Sequence, residues 1–476
     1  MRRPPARFDA LFHQGVRLMG DGDGAAAESA FRAAILLAPW VAAPHVNLGL
    51  LLAQRAARDE AGQHYRTALA LDPAQIQAYL HYGALLAAQK RFHEAEAIYR
   101  QALALDPRAG ATLSNLGVLL ACVQREPEAE ACYRAALAAT PDHANAAFNL
   151  AYLLLRQGRF EEGWAAFEAR DSYARLARHF AFPRWLGEPL AGKSVIVGFE
   201  AGHGDMIQFC RYAPLARARG AAHVAIVCHP ALKTLFTRLA GVDRVYGFDE
   251  DVPRSGYDYW AAPLSFPWIF QTRIDTIPAT LPYLHADPAR VAAYAPLLRD
   301  AGPGRALKVG LAWQGNPRFE NDRDRSLASL DVLAPLGAVA GVRFYSLQKG
   351  AGALDAALYC APASLAITDL APHIADFDDS AAMIVQLDLV IAVDTAVAHL
   401  AGALGKPVWL MLPDYKTDWR WLTGRGDTPW YPGVMRLFRQ PRGGDWTAVV
   451  AALQLALRAC VTARRGQAQN PRRATP

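Results

Sequence analysis

LVIAVDTAVAHLAGALGKP, residues 389–407, decides how the second part of this chain is read. The apolar run Leu389–Val393 predicts a buried strand, and the small residues after Thr395, with His399 one turn in, predict a helix. A strand that delivers Asp394 and Thr395 to a helix start sets free N–H groups and the positive end of a helix dipole at the carboxyl edge of a parallel sheet. A phosphate is the natural guest there. The same residues also suit an ordinary capped βα turn, so the flanking sequence has to decide between the two.

From Lys193 onward, apolar runs alternate with helical stretches. SVIVGF (194–199), HVAIVC (223–228) and DRVYGF (243–248) predict strands, with helices over 205–219 and 230–239 between them. After a proline-spaced segment and GPGR (302–305) the pattern restarts with KVGLAW (308–313), VRFYSL (342–347), 365–367, 389–393 and VWLML (408–412). Alternating βα units predict parallel sheets with helices on both faces. Two such halves, expected over 193–300 and 305–460, imply a cleft between them.

The first half opens with FEAGHGDMIQ (199–208), in which Gly202, His203 and Gly204 join strand to helix. This is a poor dinucleotide fingerprint. The third glycine is missing, and the second strand ends on Cys228-His229 where an acidic residue should hold a ribose. The glycines let backbone approach a ligand and set Asp205 at the helix start, either as a cleft carboxylate or as a capping residue. In the second half WQGNPRFENDRDRSLASL (313–330) carries Asn316, Arg318, Arg323, Arg325 and Ser326 on a polar loop. Arginines just past a strand's carboxyl end suit a diphosphate; a solvated charged loop is the other reading.

Asp322-Arg323-Asp324 spells the DxD of metal-dependent sugar transferases, but so do residues 249–251 and 376–378. With arginines around it, the triplet reads as part of an anion site or an ion-pair network, so neither a metal nor a cofactor is expected. SLQKG (346–350) sets Gln348 and Lys349 at the same sheet edge, and His399 faces that edge or the core. DWRW (418–421) and TPWYP (428–432) crowd aromatic rings together, for packing or as a stacking wall.

The first third is an internal repeat. Gly15, Gly49, Gly83 and Gly117 recur at steps of 34, with Ala151 in the fifth slot. Ala27, Ala61, Ala95, Ala129 and Gly163 keep the same step, as do Phe31, Tyr65, Tyr99, Tyr133 and Phe167. Ala34, Ala68, Ala102 and Ala136 follow, and Pro39, Pro73, Pro107 and Pro141 close each unit by refusing to continue the helix. Paired helices approach closely only where facing positions are small, and the aromatic plugs the gap toward the next repeat. This ladder resembles the tetratricopeptide repeat over 8–170, a solenoid that typically holds a protein or an extended peptide. Residues 171–192 read as a connector and 461–476 as a disordered basic tail.

Composition excludes several classes. The chain has 476 residues, 53% hydrophobic and 20% charged, and can bury large cores. Its net charge of +6 lies partly in the tail, and no basic run interleaved with aromatics argues for nucleic acid. The six cysteines form no zinc-spaced cluster, the start MRRPPARFDALF lacks an apolar run, and no stretch approaches the ~18 apolar residues of a membrane span. A cytoplasmic protein without a transmembrane segment is expected.

From Lys193 to about Cys460 the chain resembles the heptosyltransferase-like glycosyltransferases of family 9, and more closely the bacterial proteins that fuse tetratricopeptide repeats to such a domain. The matching residues are GHGD (202–205) with its helix leading to Pro214, GLAWQGNP (310–317) with NDRDRS (321–326), SLQKG, the stretch 388–413, DWRW and PWYP. The resemblance implies the GT-B architecture, two Rossmann-like domains facing a cleft, and inverting, metal-independent transfer from a nucleotide-diphosphate sugar. By it, Asp205 falls on the aspartate proposed as general base. Asp394, Thr395, Ala396 and the turn into His399 fall on the donor diphosphate and sugar site. Arg325-Ser326 falls where the family keeps a basic residue near the donor phosphates, with Asn316, Gln348 and Lys349 along the same edge.

Classical members use ADP-heptose on lipopolysaccharide core and carry no repeats, so an ADP-heptose-like donor and a glycan or protein acceptor, recruited with a partner by the repeats, are the expectation. A non-enzymatic repeat scaffold with a degenerate GT-B domain is the alternative.

Overall fold

Each 34-residue step of the first unit folds as a pair of helices pinned by a glycine under an aromatic ring. The pairs are Ala6–Gly20 with Gly24–Leu37, Ala42–Gln54 with Arg58–Leu71, Ile76–Ala88 with Phe92–Leu105, and Gly110–Cys122 with Glu126–Ala139. In this computed structural model residues 3–299, 306–319, 321–350, 365–441 and 444–469 are described, 466–469 by backbone alone. The chain divides into two compact units, Met1–Leu153 and Leu154–Pro476, and the division falls inside the helix Ala144–Arg156.

A Cβ added at Gly15, Gly49, Gly83 or Gly117 would stand 2.6, 2.7, 2.4 or 2.5 Å from the ring of Phe31, Tyr65, Tyr99 or Tyr133. The aromatic therefore covers the glycine of its own repeat first. Tyr65 also meets the next repeat, its ring 6.1 Å from that of Tyr82. A further period was not evident in residue types: Gly22, Ala56, Lys90 and Gln124, again 34 apart, all take positive φ, between 59° and 82°, in the turns between paired helices. Position, not residue identity, carries that series, and three of the four bear a side chain that disfavours it.

The second unit begins with the end of the ladder. In the helix Phe160–Phe167, Trp164 donates its indole N–H to the Thr272 carbonyl at 2.9 Å, and its ring lies 5.2 Å from Trp419 and 6.4 Å from Trp430. The connector is built into the first α/β half. Leu176 and Phe180 share a core with Ile196 and Trp260, and the Trp185 backbone N–H donates to the Trp260 carbonyl at 2.8 Å.

Two parallel sheets follow. The first, in the order β3-β2-β1-β4, comprises β1 (Ser194–Val197), β2 (His223–Cys228), β3 (Arg244–Gly247) and β4 (Tyr259–Ala261). The second runs β10-β9-β8-β5-β6-β7, from β5 (Leu307–Ala312), β6 (Val342–Ser346), β7 (Ile367–Asp369), β8 (Leu389–Val393), β9 (Val408–Leu412) and β10 (Met435–Arg439). β8 and β9 are buried at every residue because both sheet faces are covered. The edge strands β4 and β10 were not anticipated. One is three residues long, and the other is interrupted by Arg436 and Arg439. The expected restart at GPGR (302–305) lies outside the described residues.

The last helix, Trp446–Gln469, corrects the expectation of disorder from residue 461: residues 461–469 are helical, and the remainder of that tail lies outside the described residues. Within it, Trp446–Arg465 is long and apolar enough, by length and composition alone, to cross a membrane. The buried core helix of a globular domain meets the same measure. Here Val449, Leu453, Leu457 and Val461, one helical face, pack into the core of the second sheet.

Gly83→Ala is expected to cost about 1–3 kcal/mol through the clash with Tyr99. Gly62→Ala, in the helix Arg58–Leu71 with no neighbour closer than 3.6 Å, should be neutral or gain up to about 1 kcal/mol. Denaturant unfolding of the two variants compares them directly.

Candidate functional site

Chain order reverses between β5 and β8 in the second sheet and between β1 and β4 in the first. Crevices outside the carboxyl ends of strands at such points are where open α/β sheets bind ligands. Asp394 and Thr395 leave β8, the Trp313–Ser326 segment leaves β5, and Gly198–Gly202 leave β1. The sequence-predicted site residues lie in the loops and helices that follow β1, β5, β6 and β8.

The two halves meet at Gly204. A Cβ there would stand 2.9 Å from the His399 ring and 3.6 Å from Ala396 Cα. Only glycine lets the helix His203–Phe209 approach the start of the helix Ala396–Ala403 so closely. Gly202 caps the first helix. Its N–H donates to Asp205 Oδ2 at 2.8 Å, so the capping role weighed for Asp205 is present. The other oxygen, Oδ1, accepts from Arg420 Nη2 of the opposite half.

Arg420 is nearly buried. Its Nε donates to Gln208, and Nη1 donates to both oxygens of Asp418 at 3.0 and 3.1 Å. The guanidinium lies 4.5 Å over the Trp419 ring. Burial pushes the Asp205 carboxyl above the ordinary aspartate value, while Arg420 and the Gly202 N–H pull it down.

At the β8 edge Asp394 Oδ2 accepts the indole N–H of Trp421 at 2.8 Å. Burial, with the like charge of Asp418, pushes the Asp394 carboxyl up to about 6. His399 Nε2 lies 3.9 Å from Asp394 Oδ1, and Nδ1 lies 2.8 Å from Tyr431 OH. Burial, with Arg420, Arg211 and Arg325 nearby, pushes the imidazole well below its ordinary value, so it is neutral. Thr395 caps the helix with its carbonyl alone; its Oγ1 is buried without a hydrogen-bond partner.

Arg325 lies across Gly315, where a Cβ would stand 2.6 Å from its Nη2. Arg325 Nε donates to Asp322 Oδ1 at 3.2 Å, and Phe319 stacks on the guanidinium at 4.4 Å. Ser326 Oγ donates to the same Asp322 oxygen at 2.9 Å and accepts the Gly315 N–H at 2.8 Å. Asp322 is thus a local ion-pair partner, and among the described residues no cluster of three metal-ligating side chains occurs.

The remaining positions separate. Gln348 is a clamp between strand ends: Oε1 accepts the Trp313 and Gln314 N–H groups at 2.9 and 3.0 Å, and Nε2 donates to the Gln314 and Lys349 carbonyls. Lys349 is exposed and donates to the Ala371 carbonyl at 3.1 Å. Asn316 is exposed and receives the Arg318 N–H at 3.0 Å in a turn. His203 lies 4.1 Å, ring to ring, from His229 and is pushed down to about 4 by burial and that neighbour.

Trp419, Trp421, Trp430 and Tyr431 are buried in packing, which leaves no open stacking wall among them. Arg420 and Asp418 were missed because DWRW was weighed for its rings alone. An arginine enclosed by tryptophans needs a carboxylate to accompany it, and that is the signal the stretch carries.

Comparison with known proteins finds matches in the repeats and in the second α/β half. Tetratricopeptide-repeat models match residues 76–108 and 132–165, and the model of glycosyltransferase family 9 (heptosyltransferase) matches residues 347–409. Protein FlbA of Caulobacter vibrioides is 32% identical over 326 residues, 64% of this chain and 53% of FlbA, so the chain spans about half the length of that relative. Among solved structures, pilF of Pseudomonas aeruginosa aligns at 23% identity and a TM-score of 0.32, covering 34% of this chain and 75% of its own. A thermophilic tetratricopeptide-repeat protein of Thermus thermophilus aligns at 22% and 0.32, covering 36% and 90%. Both likenesses are too distant to bear on function. The chain is thus similar to tetratricopeptide-repeat proteins over residues 76–108 and 132–165, and to glycosyltransferase family 9 (heptosyltransferase) over a stretch that includes DTAVAHLAGALG.

Proposed function

We propose that the protein is an inverting, metal-independent glycosyltransferase that moves a sugar from a nucleotide-diphosphate donor, ADP-heptose-like by family resemblance, to a glycan or protein acceptor. The repeats recruit the acceptor or a partner, and the reaction belongs in the cytoplasm. The observation that carries this reading is the close approach of Gly204, the neighbour of Asp205 in one half, to Ala396 and His399 at the helix start of the other, with Arg420 of that half bonded to Asp205.

In the proposed reaction the acceptor oxygen attacks the anomeric carbon, the bond to the diphosphate oxygen breaks, and the proton passes to Asp205. Burial raises the basicity of that carboxyl; the ion pair with Arg420 restrains it. A donor diphosphate drawing on the Arg420 guanidinium would loosen its hold on Asp205 as the leaving group gains charge. Arg325, the Thr395 hydroxyl and the free N–H groups at the start of the helix Ala396–Ala403 take up that charge without a metal. A neutral His399, held by Tyr431, offers a hydrogen bond to the donor without adding charge.

One observation favours the rival reading of a non-enzymatic scaffold: the candidate base is engaged by an arginine. Titration with ADP-, UDP-, GDP- and CDP-sugars decides between them, since a scaffold binds none. Asp205→Asn is expected to lower transfer by on the order of 10²–10⁴-fold while nucleotide-sugar affinity, read by calorimetry, stays within about threefold. Transfer that survives this change would exclude Asp205 as the base.

Asp394 gives a second expectation. Its pKa in the folded chain exceeds the ordinary carboxylate value, so its contribution favours the fold below that ordinary value and is lost as pH rises through about 6. Asp394→Asn, which keeps an acceptor for Trp421, should raise Tm by a few degrees at about pH 8. The gain should shrink as pH falls through about 6, and thermal melts across that range read it.

A further inference from the structure

The repeats carry one more series at steps of 34, and it is broken once. Glu28, Glu96 and Glu130 keep the step, but Gly62 stands where the second glutamate belongs; the residues four places on, Arg32, Arg66, Arg100 and Arg134, are all arginines. Each glutamate meets its arginine one helical turn away, at 2.9, 2.7 and 2.8 Å, and its side chain is only 17, 18 and 19% exposed. Two of them also reach the following repeat: the second oxygen of Glu28 accepts from Arg55 Nη1, and that of Glu96 from Arg125 Nη1 at 2.7 Å. A covered carboxylate between two guanidiniums thus joins one repeat to the next.

At Gly62 the two arginines are present and the carboxylate is missing. Arg91 stands 34 residues before Arg125, and its Nε and Nη2 hold Glu94 at 2.7 and 2.6 Å, as those of Arg125 hold Glu128. Its Nη1, the atom that meets Glu96 in the later repeat, turns instead to Gln89 at 3.3 Å. Arg66 donates to Tyr82 OH at 3.2 Å and to no carboxylate. Both arginines line a cavity of about 210 Å³, which Arg58 also borders. Packing does not ask for the glycine. A Cβ at Gly62 would meet nothing closer than 3.6 Å, and glycine inside a helix destabilises it relative to alanine. What the missing side chain provides is the open space.

We propose that this cavity is a seat for a carboxylate on a short aliphatic stem, a glutamate side chain of a protein partner, held by Arg66 and Arg91 as Glu96 is held by Arg100 and Arg125. Leu85 and the Tyr82 ring on the cavity wall suit the stem. Asp59, which borders the same cavity, weighs against a doubly charged phosphate. A protein as the source rests on the recruiting role given to the repeats; the carboxylate seat does not.

Calorimetry on the full chain at low ionic strength tests it with a capped octapeptide alternating glutamate and glycine, the same peptide with glutamine, glutarate, and inorganic phosphate. The glutamate peptide should bind about tenfold or more tightly than each of the others. Gly62→Glu, which supplies the carboxylate from within the chain, should weaken it about tenfold, while Gly62→Ala should leave it within about threefold. Both variants remove the helix glycine, so an effect of stability alone moves them together. No binding of peptide or glutarate, binding that Gly62→Glu leaves unaltered, equal loss in both variants, or phosphate bound as tightly as the carboxylates would overturn the seat. Glutarate bound as tightly as the peptide would keep the seat and overturn a protein as its occupant. None of these outcomes depends on whether the α/β unit transfers a sugar.

Discussion

Arg420 is the constraint on which the two α/β halves depend. Its guanidinium is held by Asp418 of its own loop and by Asp205 and Gln208 of the other half, with Trp419 beneath it. A charge so enclosed is tolerated only with partners, and removing one leaves the rest uncompensated. Arg211 plays the reciprocal part from the first half: it is buried, donates to the Trp430 carbonyl at 2.7 Å and to Tyr283 OH at 2.8 Å, and lies 4.8 Å from the Tyr431 ring. Tyr431 in turn orients His399. One network therefore joins the halves and aligns the histidine, the aspartate and the helix start.

Close approach of backbones is the second theme. Gly204 admits the facing helix, Gly315 admits the Arg325 guanidinium, and Gly402 admits the Tyr431 ring at 2.6 Å from where a Cβ would stand. The repeats use the same device at Gly83 and Gly117. In each case the glycine is explained by what lies on it, and a bulkier residue would force a functional or packing group to shift.

The fold was legible because its signals are periodic. Steps of 34 and alternating apolar runs report burial, which is a property of many residues at once. The edge strands β4 and β10 were not, since a strand covered on fewer sides has less pattern to show. The site was legible in part. Asp205, Asp394 and His399 lie where a strand end meets a helix start, a position that sequence announces. Arg420 is drawn to the same place by pairing across 215 residues of chain, which no local spacing encodes. Gln348 shows the converse: it lies on the right edge, but its amide is consumed by the backbone of β5's exit.

The aromatic knot of Trp164, Trp419 and Trp430 bears on how the protein can be divided. Counting repeats suggests cutting after residue 170, which would carry Trp164 away from the Thr272 carbonyl that receives it. It would also strip Arg170 from the buried Glu200, which it meets at 2.7 Å. An α/β fragment made that way starts with a hole in its core and with a buried Glu200 that keeps Ser172 and the Leu264 N–H but has lost its arginine. The natural seam runs through the helix Ala144–Arg156, so the last half-repeat is a structural part of the α/β unit that it precedes in sequence.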